Sequence, residues 1–184
     1  MMMMTTTTTV AATPTTSSFV VDTLPTTYEL QQQSTYNSTQ HPFIQSISAE
    51  TLQIGTWKRV TLNPHDLQCQ YDKGNKLFSW CIQDGLSKFK MEFPESSLKS
   101  IQLMPLQTRA GWARLEMFIL SAEHISFYMK SLHQHGWVQC RDYTEDKQAS
   151  TVLLHQLDGP ALALKAELDI LLKENPYLAS ILFK

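Results

Sequence analysis

His133, His135, Cys140 and His155 are the side chains of this sequence best suited to ligate a metal ion. Zinc sites built from such residues use closely spaced ligand pairs, and these separations do not reproduce that pairing. A turn containing Gly136 accounts for the polarity of the cluster, so neither a metal nor another cofactor is expected. Nucleophilic catalysis finds no better footing. No serine stands in Gly-x-Ser-x-Gly, and no motif places a Cys and a His to act together, so no catalytic residue is assigned and the chain is expected not to be an enzyme. Lys58 and Arg59 precede a loop, Thr61 to Asp66, and two adjacent cations before a loop raise the question of a phosphate clamp. That loop adds Asp66 and no further Lys or Arg, which leaves binding of a phosphoinositide or anionic lipid as the alternative function rather than the first.

A different stretch is better built for recognition. Arg141 to Gln148 carries an Arg, three acids, a Lys and an aromatic ring within eight residues, too polar for a core strand and too long for a tight turn. Polar loops on a rigid scaffold are common binding surfaces. Arg141, Asp142, Tyr143, Thr144, Glu145 and Gln148 are therefore the candidate partner-binding residues, with Tyr143 expected to contribute most because interfaces favour Trp, Tyr and Arg. Trp57 and Trp80 are expected in the core, whereas Trp112 and Trp137 follow Gly111 and Gly136 and are candidate anchors for a partner.

These residues need a scaffold, and period-two alternation supplies it. Phe89, Met91 and Phe93 interleave with Lys88, Lys90 and Glu92, the pattern of a strand with one face in a core and the other in water. Phe78-Trp80-Ile82, Leu67-Cys69-Tyr71, Leu115-Met117-Ile119 and Ile125-Phe127-Met129 repeat it. Asp72-Lys-Gly74-Asn75 and Asp84-Gly85 supply turn residues between the first three of these segments, so residues 67–93 read as a three-stranded antiparallel meander. Ile54 to Val60 is expected as the strand before it and Leu98 to Met104 as the strand after it. Residues 148–157 are left between strand and helix, with Thr151 to Leu154 favouring strand.

The period then becomes helical: Leu164, Leu168, Leu171 and Leu172 form a stripe from which Lys165, Asp169 and Lys173 are absent. Gly159-Pro160 is the expected start and Asn175-Pro176 the expected stop. Such a helix is not stable alone in water, so its leucine face must pack on the sheet. Leu178, Ile181, Leu182 and Phe183 are too apolar for a free tail and are expected to dock or to meet a partner.

Charge is distributed unevenly over the 184 residues. Before Glu50 only Asp22 and Glu29 are charged, while Thr5 to Thr9, the Thr/Pro/Ser run near Pro14 and Gln31 to Gln33 make a polar low-complexity stretch unable to offset its ordering entropy. Residues 1–49 are accordingly expected as a disordered Thr/Ser/Gln-rich tail and residues 50–184 as the folded domain. From Glu50 onward acids and bases balance, which argues against a phosphate-backbone binder; no direct DNA binding is expected. Cys69, Cys81 and Cys140 are odd in number and widely spaced, consistent with reduced thiols. No apolar run reaches the length of a membrane span and no signal peptide is expected, so a cytosolic or nuclear home is the default.

A small, bent antiparallel sheet closed at one end by a C-terminal helix is the architecture of a pleckstrin-homology-like (PH-like) barrel: mainly β, with a helical cap, and with its edges removed by closure. The wording of the strands agrees. Ile54-Gly-Thr-Trp57, Asp66-Leu67, Lys76-Leu-Phe-Ser-Trp80, Asp84-Gly-Leu-Ser-Lys-Phe-Lys-Met-Glu-Phe93 and Asp142-Tyr-Thr-Glu-Asp-Lys-Gln-Ala-Ser150 resemble the plant TRF-like proteins and the domain that accompanies the homeobox in fungal filamentation-type homeobox proteins. The resemblance spans roughly residues 52–157 and implies a PH-like domain of transcription-associated proteins with no activity established for the domain itself, which sets the nucleus ahead of the cytoplasm as its expected home; a protein partner of unknown identity is expected, the transcription machinery being one candidate. The chain has no Trp-Phe-x-Asn recognition helix, so DNA binding is not carried over.

Overall fold

A computed structural model describes residues 43–131, 133 and 135–183. The Thr/Ser/Gln-rich stretch expected as a tail lies outside the described residues up to residue 42. The strand β1 (Ile44–Ile47) pairs antiparallel with β4 (Leu67–Asp72), so sheet pairing begins ahead of the boundary expected at residue 50. Ile47 is the buried residue that holds it there, and Gln45 and Ser48 bind the C-terminal helix.

The expected meander forms from β4, β5 (Leu77–Asp84) and β6 (Ser87–Pro94), with Cys69 opposite Trp80 and Trp80 opposite Met91. Gly85 takes the left-handed conformation its turn requires, at φ +58°. At the other turn the positive φ falls on Lys76, while Asp72 Oδ1 accepts from the N–H groups of Gly74 and Asn75. The strand expected over Ile54 to Val60 is instead a hairpin, β2 (Thr51–Ile54) and β3 (Trp57–Val60), because Gly55 at φ +58° reverses the chain.

Among the described residues, twelve strands pair as two six-stranded sheets. The first runs β1-β4-β5-β6-β9-β10, with β9 Ser126–Ser131 and β10 Val138–Cys140. The second runs β12-β7-β8-β11-β2-β3, with β7 Leu98–Pro105, β8 Trp112–Ile119, β11 Leu154–Pro160 and β12 Leu182–Phe183. The closed barrel expected from the sequence is thus corrected: the sheets do not close on each other. Two of the crossings between them pass through short 3-10 turns, Glu95–Ser97 after β6 and Ala122–His124 before β9, which carry the chain over without ladder pairing. The edge strands are two to four residues long, which limits the unpaired backbone that closure would otherwise remove. Pairing is antiparallel throughout except between β12 and β7.

Residues 148–157 turn out to be both helix and strand: one turn, α1 (Gln148–Thr151), leads into β11. The long helix α2 (Ala161–Glu174) starts one residue later than expected, since Pro160 still pairs with Trp112 at the end of β11. It buries Leu164, Leu168 and Leu171 against the core, as the stripe requires. Asn175 ends it and caps α3 (Pro176–Ser180) by accepting from the N–H of Leu178 at 3.2 Å. The apolar C-terminus docks: Leu178 is fully buried, and β12 extends the second sheet.

That junction is locked by a buried carboxylate. Glu95 accepts hydrogen bonds from the Tyr71 hydroxyl and from the Asn175 amide, and Lys76 Nζ lies 3.5 Å from its other oxygen. Burial and the bond to Glu95 together push the Tyr71 phenol well above its ordinary range. Glu95→Gln keeps the shape, loses the charge on these bonds and is expected to cost about 2 kcal/mol. Urea unfolding checks this; an unchanged midpoint contradicts the role given to Glu95.

Candidate functional site

The loop singled out from sequence, Arg141 to Gln148, follows β10 and leads into α1. Its polar residues are divided between holding the loop and facing solvent. Asp142 does the holding. Its Oδ1 accepts from the Thr144 N–H at 2.8 Å and hydroxyl at 2.6 Å, and its Oδ2 accepts from the Ser150 N–H and hydroxyl, both at 2.8 Å. Thr144 is buried, and its hydroxyl oxygen in turn accepts from the Ala149 N–H at 3.0 Å. One carboxylate and one hydroxyl therefore fix both ends of the loop, which explains why a segment this polar is ordered.

Tyr143 points inward. Its ring packs between Phe89 and Phe127 at centroid distances of 4.9 and 5.7 Å and meets Trp57 edge-on at 6.4 Å. Burial pushes its phenol far above the ordinary value, and its hydroxyl has no hydrogen-bond partner among the described residues. Gln148 is half-buried, with Oε1 accepting from the Thr56 N–H at 3.3 Å across the β2–β3 turn. Arg141 and Glu145 are exposed, as are Asp146 and Lys147. The six candidate residues are thus brought together in one loop, but only Arg141 and Glu145 among them are exposed.

The tip of the loop carries a feature the sequence did not signal. Asp146 and Lys147, two consecutive residues with side chains, both adopt left-handed backbone at φ 51° and 53°. Each such residue costs about 1–2 kcal/mol, and Lys has no short polar side chain to compensate.

Gly55 belongs to the same platform. A Cβ there meets Gln148 Oε1 at 2.0 Å and Val152 Cγ2 at 3.0 Å, on a backbone already at φ +58°. Gly55→Ala is expected to cost about 2 kcal/mol and to displace the Gln148 side chain. Thermal unfolding measures the first effect, and a chemical-shift change at the Thr56 amide reports the second. A variant as stable as the parent, with that amide unmoved, contradicts the contact.

The remaining candidates are dispersed. Lys58 and Arg59 are successive residues of β3 and so leave opposite faces of the strand. Lys58 is exposed, whereas Arg59 binds Asp84 at 3.0 Å and lies 5.8 Å from the Trp57 ring centre. The pair does not form a two-cation clamp. His155 is fully buried, accepting at Nδ1 from Trp80 Nε1–H at 3.0 Å, while His133 and His135 are exposed. No group of three metal-ligating side chains converges among the described residues. Trp57 and Trp80 are core residues, as expected. The Trp112 ring is covered by the Arg109 guanidinium at 3.3 Å, and Trp137 lies at the surface with Lys90 Nζ 4.9 Å from its ring centre.

Comparison with known proteins gives the family of the chain. The family model described as the TRF2/HOY1 PH-like domain matches residues 46–165. The homeobox transcription factor phx1 of Schizosaccharomyces pombe is 31% identical over 153 residues, covering 73% of this chain and 16% of that protein. The pyriculol/pyriculariol biosynthesis cluster transcription factor 1 of Pyricularia oryzae is 32% identical over 128 residues, covering 68% of this chain and 20% of that protein. The chain therefore spans at most a fifth of the length of these relatives.

Proposed function

From the premise that this chain belongs to the TRF2/HOY1 PH-like domain family, we propose that it is a non-catalytic protein-interaction module of a nuclear, transcription-associated protein. The names of its relatives support the setting: both are transcription factors. The loop supports the mechanism. Asp146 and Lys147 hold left-handed backbone at an exposed tip whose base is fixed by Asp142, Thr144 and the half-buried Tyr143 ring. Backbone strain of this kind persists only where the surroundings over-determine it, and it clusters at ligand clamps and switch regions. A rigid loop also loses little entropy on binding, so its exposed charges are displayed at low cost to a partner.

In this reading Arg141 and Glu145 touch the partner, while Asp142, Tyr143, Thr144 and Gln148 position them. The test is capture from nuclear extract on the immobilised 184-residue chain, read by mass spectrometry, against the variant Arg141→Glu/Glu145→Lys. A transcription-related protein retained by the parent and lost by the variant supports the module and its loop. Equal recovery on both overturns the loop assignment, and recovery of nothing above an unrelated control domain overturns the module.

A further inference from the structure

The outer face of the first sheet carries two lysines that pair with no carboxylate among the described residues. On β6 and β9, Lys88 stands directly opposite Lys130 and Lys90 opposite Tyr128, all on the face away from Phe89, Met91 and Phe127. Like charges directly opposite on a sheet destabilise it. Among the described residues no carboxylate oxygen lies within 4.0 Å of the ammonium group of Lys88 or Lys130. Beside them Leu86 is 69% exposed at the β5–β6 turn, and Leu86, Lys88, Lys130 and Ser131 line a surface pocket of about 220 Å³. The third lysine is occupied. Lys90 Nζ lies 4.8 Å from the Tyr128 ring centre, 4.9 Å from that of Trp137 and 2.5 Å from Glu92 Oε1.

We infer that this face docks an acidic peptide segment of a protein partner, with carboxylates on the Lys88–Lys130 pair and an apolar side chain on Leu86. Two unneutralised ammonium groups beside an apolar residue match a chain that alternates acids with Leu or Phe. A single-stranded nucleic acid fits less well, because the aromatic faces on which its bases stack are already taken by Lys90, and Glu92 interrupts the basic track its backbone needs. This surface is separate from the Arg141–Gln148 loop, so either can fail without the other.

The substitution Lys88→Glu separates binding from folding. It replaces a repulsive cross-strand pair by an attractive one, so the free protein is expected to unfold at a slightly higher temperature. The probe is a fluorescein-labelled peptide alternating Asp/Glu with Leu/Phe, followed by anisotropy on the full chain. Binding is expected to weaken with added salt, to fall about tenfold or more in Lys88→Glu, and to be unchanged in Lys58→Glu. Three results overturn the inference: no binding of the acidic peptide by the parent, equal binding by parent and Lys88→Glu, or tighter binding of an oligo-dT strand or phosphatidylserine vesicles that Lys88→Glu abolishes.

Discussion

Acidification from pH 7.5 to pH 5 is expected to remove about 2 kcal/mol of folding stability through His155 alone. The side chain lies fully buried between the two sheets, with its Nδ1 accepting from the Trp80 indole and the ring of Phe93 edge-on at 5.6 Å. Its Nε2 has no partner among the described residues. Burial dominates the titration and holds the imidazole down to about 3, against an opposing pull from the Asp142 carboxylate. An unfolded chain takes up this proton near the ordinary value of 6.5. Below that pH the unfolded state binds a proton that the folded state refuses. The contribution is complete above pH 6.5, declines as pH falls, and is exhausted near pH 3, where the folded form also protonates. His155→Gln retains an acceptor for the indole and does not titrate, so comparing it with the parent cancels every other group. Urea midpoints measured at pH 7.5, 6 and 5 are expected to converge between the two proteins as pH falls. Parallel curves contradict the burial of a neutral His155.

Tyr143 yields a second large effect, and a contrast that separates folding from recognition. Tyr143→Ala removes a ring packed on Phe89, Phe127 and Trp57 and is expected to cost about 3–4 kcal/mol, a large share of the stability of a domain this size. Tyr143→Phe removes only a buried hydroxyl without a partner among the described residues, and is expected to be neutral or stabilising by about 1 kcal/mol. Calorimetric melting of the two variants checks the pair. A Phe variant as unstable as the Ala variant means that the hydroxyl, not the ring, holds the loop. Loss of a partner by Tyr143→Ala would report unfolding, which is why the capture experiment uses Arg141 and Glu145.

Local patterns were readable where the chain repeats with one period for long enough. The alternation from Leu67 to Phe93 specifies three strands and both turns, and the leucine spacing from Leu164 to Leu172 specifies the buried face of α2. What failed was contingent on distant partners. Gly55 sits in an alternating run, and only its left-handed φ, enforced beside Gln148, breaks that run into a hairpin. Ile44 to Ile47 lies among uncharged polar residues and becomes a strand because β4 offers an edge. The Trp80–His155 bond joins residues 75 apart, one on each sheet, and no local signal announces it. The polar run of Arg141, Asp142, Glu145 and Asp146 around Tyr143 predicts a ring available to a partner. Asp142 is instead consumed in holding the loop, which frees the ring to turn inward. Closure of the barrel is the other expectation that the structure corrects. Strand count and a capping helix suggested it, whereas ladder pairing stops where the 3-10 turns carry the chain between sheets.

In the proposed division of the loop, Thr144 and the Tyr143 ring serve the scaffold while Arg141 and Glu145 serve a partner. Capture from nuclear extract by the parent, Tyr143→Phe and Arg141→Glu/Glu145→Lys, each first shown to melt as a folded domain, tests that division directly. Retention of the same transcription-related protein by the parent and Tyr143→Phe, with loss by the double variant, is the predicted result. Loss by Tyr143→Phe, or retention by the double variant, contradicts it.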